Sequence, residues 1–143
     1  MQEVSMSDSY LIDVPRGIVF SRGWGVLTDA EIFAHAESLR SNARFDPGFR
    51  QIVDFREVIE IPVTGAGVHA VAQNNPFRRD ARRALVVVTD EAFGLVRMFE
   101  LVTEADPDQF RIFREIGPAL EWVGLEPDTP WPARAPDATF GVP

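Results

Sequence analysis

The sequence predicts an α/β fold: a mixed β-sheet of four to five strands with helices packed against it. Three observations predict it. Strand-like and helix-like stretches follow one another in the order β-β-α-β-α-β-α-β-α. The stretch Ala84-Leu85-Val86-Val87-Val88-Thr89 is an apolar run between polar residues, the pattern of a strand buried on both faces. Thr28 and Glu31 form a capping box, T-x-x-E, ahead of an apolar-periodic segment, which marks a helix start. Strands separated by helices imply a sheet that is largely parallel after its first hairpin, with right-handed crossovers.

Each element has a local reason. Residues 10–14 and 17–22 read as two short strands joined at Pro15-Arg16-Gly17, and Gly23-Trp24-Gly25 reads as a turn after them. From the Thr28 cap, Ile32, Ala36, Leu39 and Ala43 fall on one helical face. Asp46-Pro47-Gly48 is a turn into a strand over 50–55, and a loop follows. A helix over 64–74 starts at Thr64, buries Val68, Val71 and Ala72, and stops at Asn74-Asn75-Pro76, because the residue before proline avoids the helical region. After the strand at 84–89, Asp90 can cap a helix over 91–104 with Leu95, Met98, Phe99 and Val102 on its core face. Residues 110–113 read as a short strand and 117–125 as a last helix, with Pro118 tolerated in its first turn. The expectation is one domain over residues 1–125 and a proline-rich extended tail over 126–143, pinned through Trp131 or Phe140.

Composition excludes several function classes. With 45% hydrophobic and 25% charged residues, the 143-residue chain reads as a soluble globular protein. Its net charge of -8 argues against general nucleic-acid binding, which needs a basic surface, and against polybasic attachment to membranes. There are no cysteines, so disulfides, thiolate catalysis and cysteine metal sites drop out. All 14 basic residues are arginine, which removes Schiff-base and P-loop lysine mechanisms. No secretory signal and no apolar run of membrane-spanning length are visible, so a cytoplasmic location and no stable membrane insertion are expected.

The stretch from Ile59 to Asn75 carries the main motif. Gly65, Gly67 and Ala70 match a G-x-G-x-x-G/A dinucleotide fingerprint, and Asp90 ends the next strand about where a ribose ligand would sit. Pro62 in the expected strand, the charged detour Asn74 to Arg83 and the missing second mononucleotide half oppose that reading. A packed helix start is favoured, and no cofactor is expected.

Set in this β/α order, Asp54-Phe55 at a strand end and Thr64-Gly65-Ala66-Gly67-Val68 at a helix start resemble the core of the STAS family, the SpoIIAA-like anti-sigma-factor antagonists. The span from about Tyr10 to Leu125 resembles the small bacterial STAS/SEC14-like proteins of mostly unassigned function, through "GVLTDAEI", "VDFREV", "RRALVV", "FGLVRMFE" and "ALEWVGL". The resemblance implies a SpoIIAA-like fold and a non-enzymatic regulatory or protein-interaction module. The SEC14-like relatives imply the alternative, a small-ligand or lipid binder with an apolar pocket between the sheet and the 91–104 helix, lined by Phe93, Met98 and Phe99. In phosphoregulated members, Asp-Ser precedes the Ser/Thr-Gly. Here Pro62 and Val63 stand at those positions, and valine has no hydroxyl to phosphorylate. Thr64 keeps one, but a capping hydroxyl is committed to a backbone N–H.

Three candidate sites follow. Asp54, Thr64, Gly65 and His69 gather near the carboxyl edge of the sheet, where ligands of α/β folds collect. Arg78, Arg79, Arg82 and Arg83 concentrate positive charge suited to an anionic partner, against a bland alternative of pairing with acidic neighbours. Phe93, Arg97 and Leu101 share the polar side of the 91–104 helix, with Glu100 and Glu104, and suggest a contact surface for a second copy or another protein, unless the tail covers them. His35 and His69 are not at metal-ligand spacing and read as boundary packing residues, so no metal is expected. No nucleophile elbow or other catalytic set appears. A cleft gathering Asp54, His69 and an arginine would be the sign of an enzyme.

Overall fold

The computed structural model describes residues 8–131. Its elements run β1 (Asp8–Asp13), β2 (Ile18–Val26), α1 (Asp29–Arg40), β3 (Arg50–Glu60), α2 (Gly65–Gln73), β4 (Arg83–Val86), α3 (Asp90–Thr103), β5 (Phe110–Phe113) and α4 (Ile116–Trp122). They build a five-stranded sheet in the order β1-β2-β3-β4-β5. β1 and β2 are antiparallel, and every later neighbour pair is parallel. The fold class and element order match the sequence expectation.

A sheet that grows in one direction through crossovers of one hand must place every crossover helix on the same face. Here α1, α2 and α3 share one face, and α4 takes the other. Period-two alternation sorts the strand residues accordingly. Val53, Leu85, Val87 and Phe110 join the core under α3, while Ile18, Phe20, Ile52, Ala84 and Val86 meet Ala119, Leu120 and Val123 of the α4 side. A third cluster, around Tyr10, Val19, Leu39 and Phe77, closes the end near α1.

The caps follow local chemistry. Thr28 Oγ1 accepts from Glu31 N at 3.3 Å, and Glu31 Oε1 accepts from Thr28 N at 3.1 Å, completing the capping box. Thr64 Oγ1 caps α2 by accepting from Gly67 N at 3.1 Å. The cap of α3 is Thr89, not Asp90: Thr89 Oγ1 accepts from Ala92 N at 3.0 Å, and Asp90 is the first helical residue. There its negative charge still faces the favourable end of the helix dipole.

Other local expectations need correction. Gly23-Trp24-Gly25 is no turn. β2 runs through it with a register shift between Arg22 and Trp24, and Gly25 sits at a φ of 64°. Pairing with β3 overrides the local breakers, and β3 extends past Phe55 to Glu60. Helix α1 stops at Arg40, so Ala43 lies beyond it and is exposed. Met98 is 39% exposed rather than in the core, and Glu100 is buried at 8% rather than on the polar face. Trp131 does not cover α3; it packs edge-on against Phe20 at 5.4 Å, on the α4 side. Phe140 lies outside the described residues.

Candidate functional site

Between the sheet and α1, α2 and α3 lies a cavity of about 120 Å³. Its walls are mostly aliphatic, including Val53 and Leu85 from the sheet, Val68 and Val71 from α2, and Leu95 and Val96 from α3. Phe99 lines it, as expected, but Phe93 and Met98 do not. Val63 also lines it and packs against the core.

A line of polar side chains crosses this otherwise apolar face. Ser21, Gln51 and Arg83 come from three adjacent strands, and Gln51 and Arg83 are direct cross-strand partners. Arg83 Nε donates to Gln51 Oε1 at 2.9 Å, Gln51 Nε2 donates to Ser21 Oγ at 3.0 Å, and Ser21 Oγ lies 3.1 Å from His35 Nε2. At the other end, Arg83 Nη1 donates to Asn75 Oδ1 at 3.2 Å. The Arg83 guanidinium also sits over the rings of Phe77, Phe99 and Phe110, at 4.4, 5.4 and 5.6 Å from their centroids. Arg83 is 8% exposed, and burial lowers its pKa to about 9, which leaves it charged at neutral pH. No carboxylate pairs with it among the described residues. Buried charges are ordinarily paired, because desolvation is costly.

The sequence reading placed Arg83 in a surface cluster, and the structure divides that cluster. Arg78 pairs with Asp80 at 2.8 Å, and Arg79 Nε donates to the Glu104 carbonyl at 2.9 Å. Both border an open surface hollow that also holds Asp80 and Asp106, so its charge is mixed. Arg82 lies over the Trp122 ring at 4.5 Å and donates to the Trp122 carbonyl at 2.9 Å. Only Arg83 faces inward. A signal was present in the sequence: Arg83 shares the period-two parity of Leu85 and Val87, which point to the helices. Gln51 likewise shares the parity of Val53. Nothing local marked Ser21 or Asn75.

The other candidates do not converge on the cavity. Asp54 is buried on the α4 side of the sheet, and its carboxylate accepts from Arg56 Nε and Nη2, both at 2.9 Å. That bidentate ion pair raises the pKa of Arg56. Thr64 is spent as a cap, and His69 is exposed on α2. A Cβ on Gly65 would meet nothing within 4 Å. A Cβ on Gly67 would lie 2.6 Å from Asp29 Oδ2, so this glycine permits the close approach of α2 to the start of α1. On α3, Arg97 pairs with Glu100 at 3.0 Å, Phe93 lies beneath Arg114 at 4.9 Å, and Leu101 is 67% exposed. Among the described residues, no three acidic or histidine side chains gather as a metal site, and no helix is long and apolar enough to cross a membrane.

No protein-family model matches the chain, and no curated protein matches it. Among solved structures, it is similar to an uncharacterised protein of the DUF3478 family with a SpoIIAA-like fold, from Shewanella loihica PV-4. The TM-score is 0.56 at 16% identity, over 86% of this chain and 98% of that one. At that identity the likeness speaks of the fold, and the fold is SpoIIAA-like.

Proposed function

We propose that this protein is a non-enzymatic module that binds a small, largely apolar ligand in the cavity beneath α1, α2 and α3. The cavity itself carries the reading. Native cores hold few voids larger than a water molecule. A space of about 120 Å³ walled mainly by aliphatic side chains gives a ligand apolar surface to bury, worth roughly 25 cal/mol per Å² removed from water. An apolar cavity of ~150 Å³ is known to accept benzene, so a body of about six carbons suits this one.

Calorimetric titration with benzene-sized ligands tests the proposal, with Val96→Phe as a variant that fills the cavity from α3. Wild type should bind and Val96→Phe should not, while keeping a cooperative thermal transition. If wild type binds none of them, and native mass spectrometry finds no small molecule retained from cells, the reading fails.

A second reading, a regulatory or protein-interaction module, is favoured by the outer face of α3. Phe93, Met98 and Leu101 are 37%, 39% and 67% exposed there. Light scattering on wild type and Leu101→Glu addresses self-association: a monomer in both cases removes the homodimer.

A further inference from the structure

We propose that the cavity takes a small amphipathic carboxylate, with its head group on the Arg83 guanidinium and its apolar body of about six carbons among the aliphatic walls. This rests on the cavity reading and adds the chemistry of the ligand's head.

Arg83 is a buried cation in an acidic protein. The chain has 22 acidic side chains against 14 basic ones, yet none of those described pairs with this arginine. Its described partners are neutral: the amide oxygens of Gln51 and Asn75, and three aromatic rings. Other arginines of the chain do find carboxylates, including the exposed Arg56 on Asp54 and Arg114 on Asp90. Two arginines line the cavity: Arg22 pairs with Glu57, and Arg83 pairs with no described carboxylate.

Donors are also left over at that wall. Arg83 commits Nε to Gln51 and Nη1 to Asn75, and Nη2 makes no hydrogen bond among the described residues. Asn75 Oδ1 accepts from both Arg83 Nη1 and Phe77 N, at 3.2 and 3.3 Å, which fixes the amide orientation and makes Nδ2 its donor end. That Nδ2 has no acceptor among the described residues. Both residues line the cavity. A guanidinium N–H with an amide N–H beside it suits a carboxylate, whose two oxygens accept charge-assisted hydrogen bonds. One arginine balances one negative charge. A phosphate monoester, which carries nearly two at neutral pH, would leave the second uncompensated.

Calorimetric titration of the full chain with benzoate and with its neutral isostere nitrobenzene tests the assignment, in wild type, Arg83→Met and Arg83→Lys. Wild type should bind benzoate roughly ten- to a hundred-fold more tightly than nitrobenzene, the range expected for charge-assisted hydrogen bonds. Arg83→Met should erase that preference while still binding nitrobenzene, and Arg83→Lys should restore part of it. If Arg83→Met does not fold, the wild-type comparison decides alone. Equal binding of the two ligands by wild type overturns the carboxylate assignment and leaves the apolar cavity standing. Benzoate affinity that survives Arg83→Met also overturns the assignment, because the site then lies elsewhere. Failure of both ligands to bind overturns the cavity reading with it.

Discussion

Replacing Arg83 by methionine should alter stability far less than breaking a buried charge usually does. Burial disfavours the charged form of Arg83, at a cost of several kcal/mol for an ion taken out of water. Opposing it are a ring contact at 4.4 Å, worth about 2 kcal/mol when desolvated, and two charged hydrogen bonds worth about 1.5–3 kcal/mol each. The two sides nearly cancel. Methionine keeps the volume and the ring contacts but leaves Gln51 Oε1 without its donor, at about 1–3 kcal/mol. The net effect at pH 7 should therefore be a loss of at most about 3 kcal/mol, against roughly 3–5 for breaking a buried ion pair. Urea denaturation of both proteins at pH 7 supplies the measurement, and a loss above about 4 kcal/mol would refute the reasoning.

Three further outcomes are expected. Thr28→Ala should cost about 1 kcal/mol, because it removes the side-chain half of the capping box of α1, read as a lower midpoint in chemical denaturation. Gly65→Ala should raise stability by about 0.5–1 kcal/mol, since the added Cβ meets nothing within 4 Å and alanine loses less chain entropy in a helix; a fall in melting temperature would contradict an open first turn. Arg56→Ala should cost about 1–3 kcal/mol at pH 7, by leaving Asp54 buried without its bidentate partner, and much of that penalty should disappear in the Arg56→Ala/Asp54→Asn double variant.

Much of the fold was legible because its signals are local or strictly periodic. The Thr28 capping box, the apolar run from Ala84 and the Asn-Asn-Pro stop after α2 each act within a few residues, although the strand expected over 84–89 already ends at Val86. What was not legible depends on partners distant in sequence. Gly23-Trp24-Gly25 has the composition of a turn, and only pairing with β3 makes it a bulged strand. Glu100 reads as a surface residue on a helical wheel, yet it is buried at 8% exposure beside Arg97. The candidate site was the least legible part. Four arginines between Arg78 and Arg83 look alike as composition, and the strand register alone turns the last of them inward. Ser21 and Gln51 are ordinary polar residues until the sheet sets them beside Arg83.

The fold itself explains why a polar line can persist on this face. Three crossover helices, α1, α2 and α3, must share one side of the sheet, and they rest on it with unequal reach. Gly67 draws α2 close to α1, while Leu95 and Phe99 hold the α3 side on larger side chains. A face bridged in this way is harder to close to native density than the α4 face, where Ala84, Val86, Ala119 and Leu120 pack at 2% exposure or less. On the α4 side an arginine at a central strand would cost its full desolvation for no return. At the edge of a void it retains donors that a ligand can use. Charge-assisted hydrogen bonds from those donors to a carboxylate would then add stability on binding. If the carboxylate assignment holds, benzoate should raise the melting temperature of wild type and leave that of Arg83→Met in place. By mass action, a ligand present at about a hundred times its Kd adds about 2.7 kcal/mol, a shift of several degrees in a chain of this size. A rise of equal size in both proteins would show that the stabilising site does not involve Arg83.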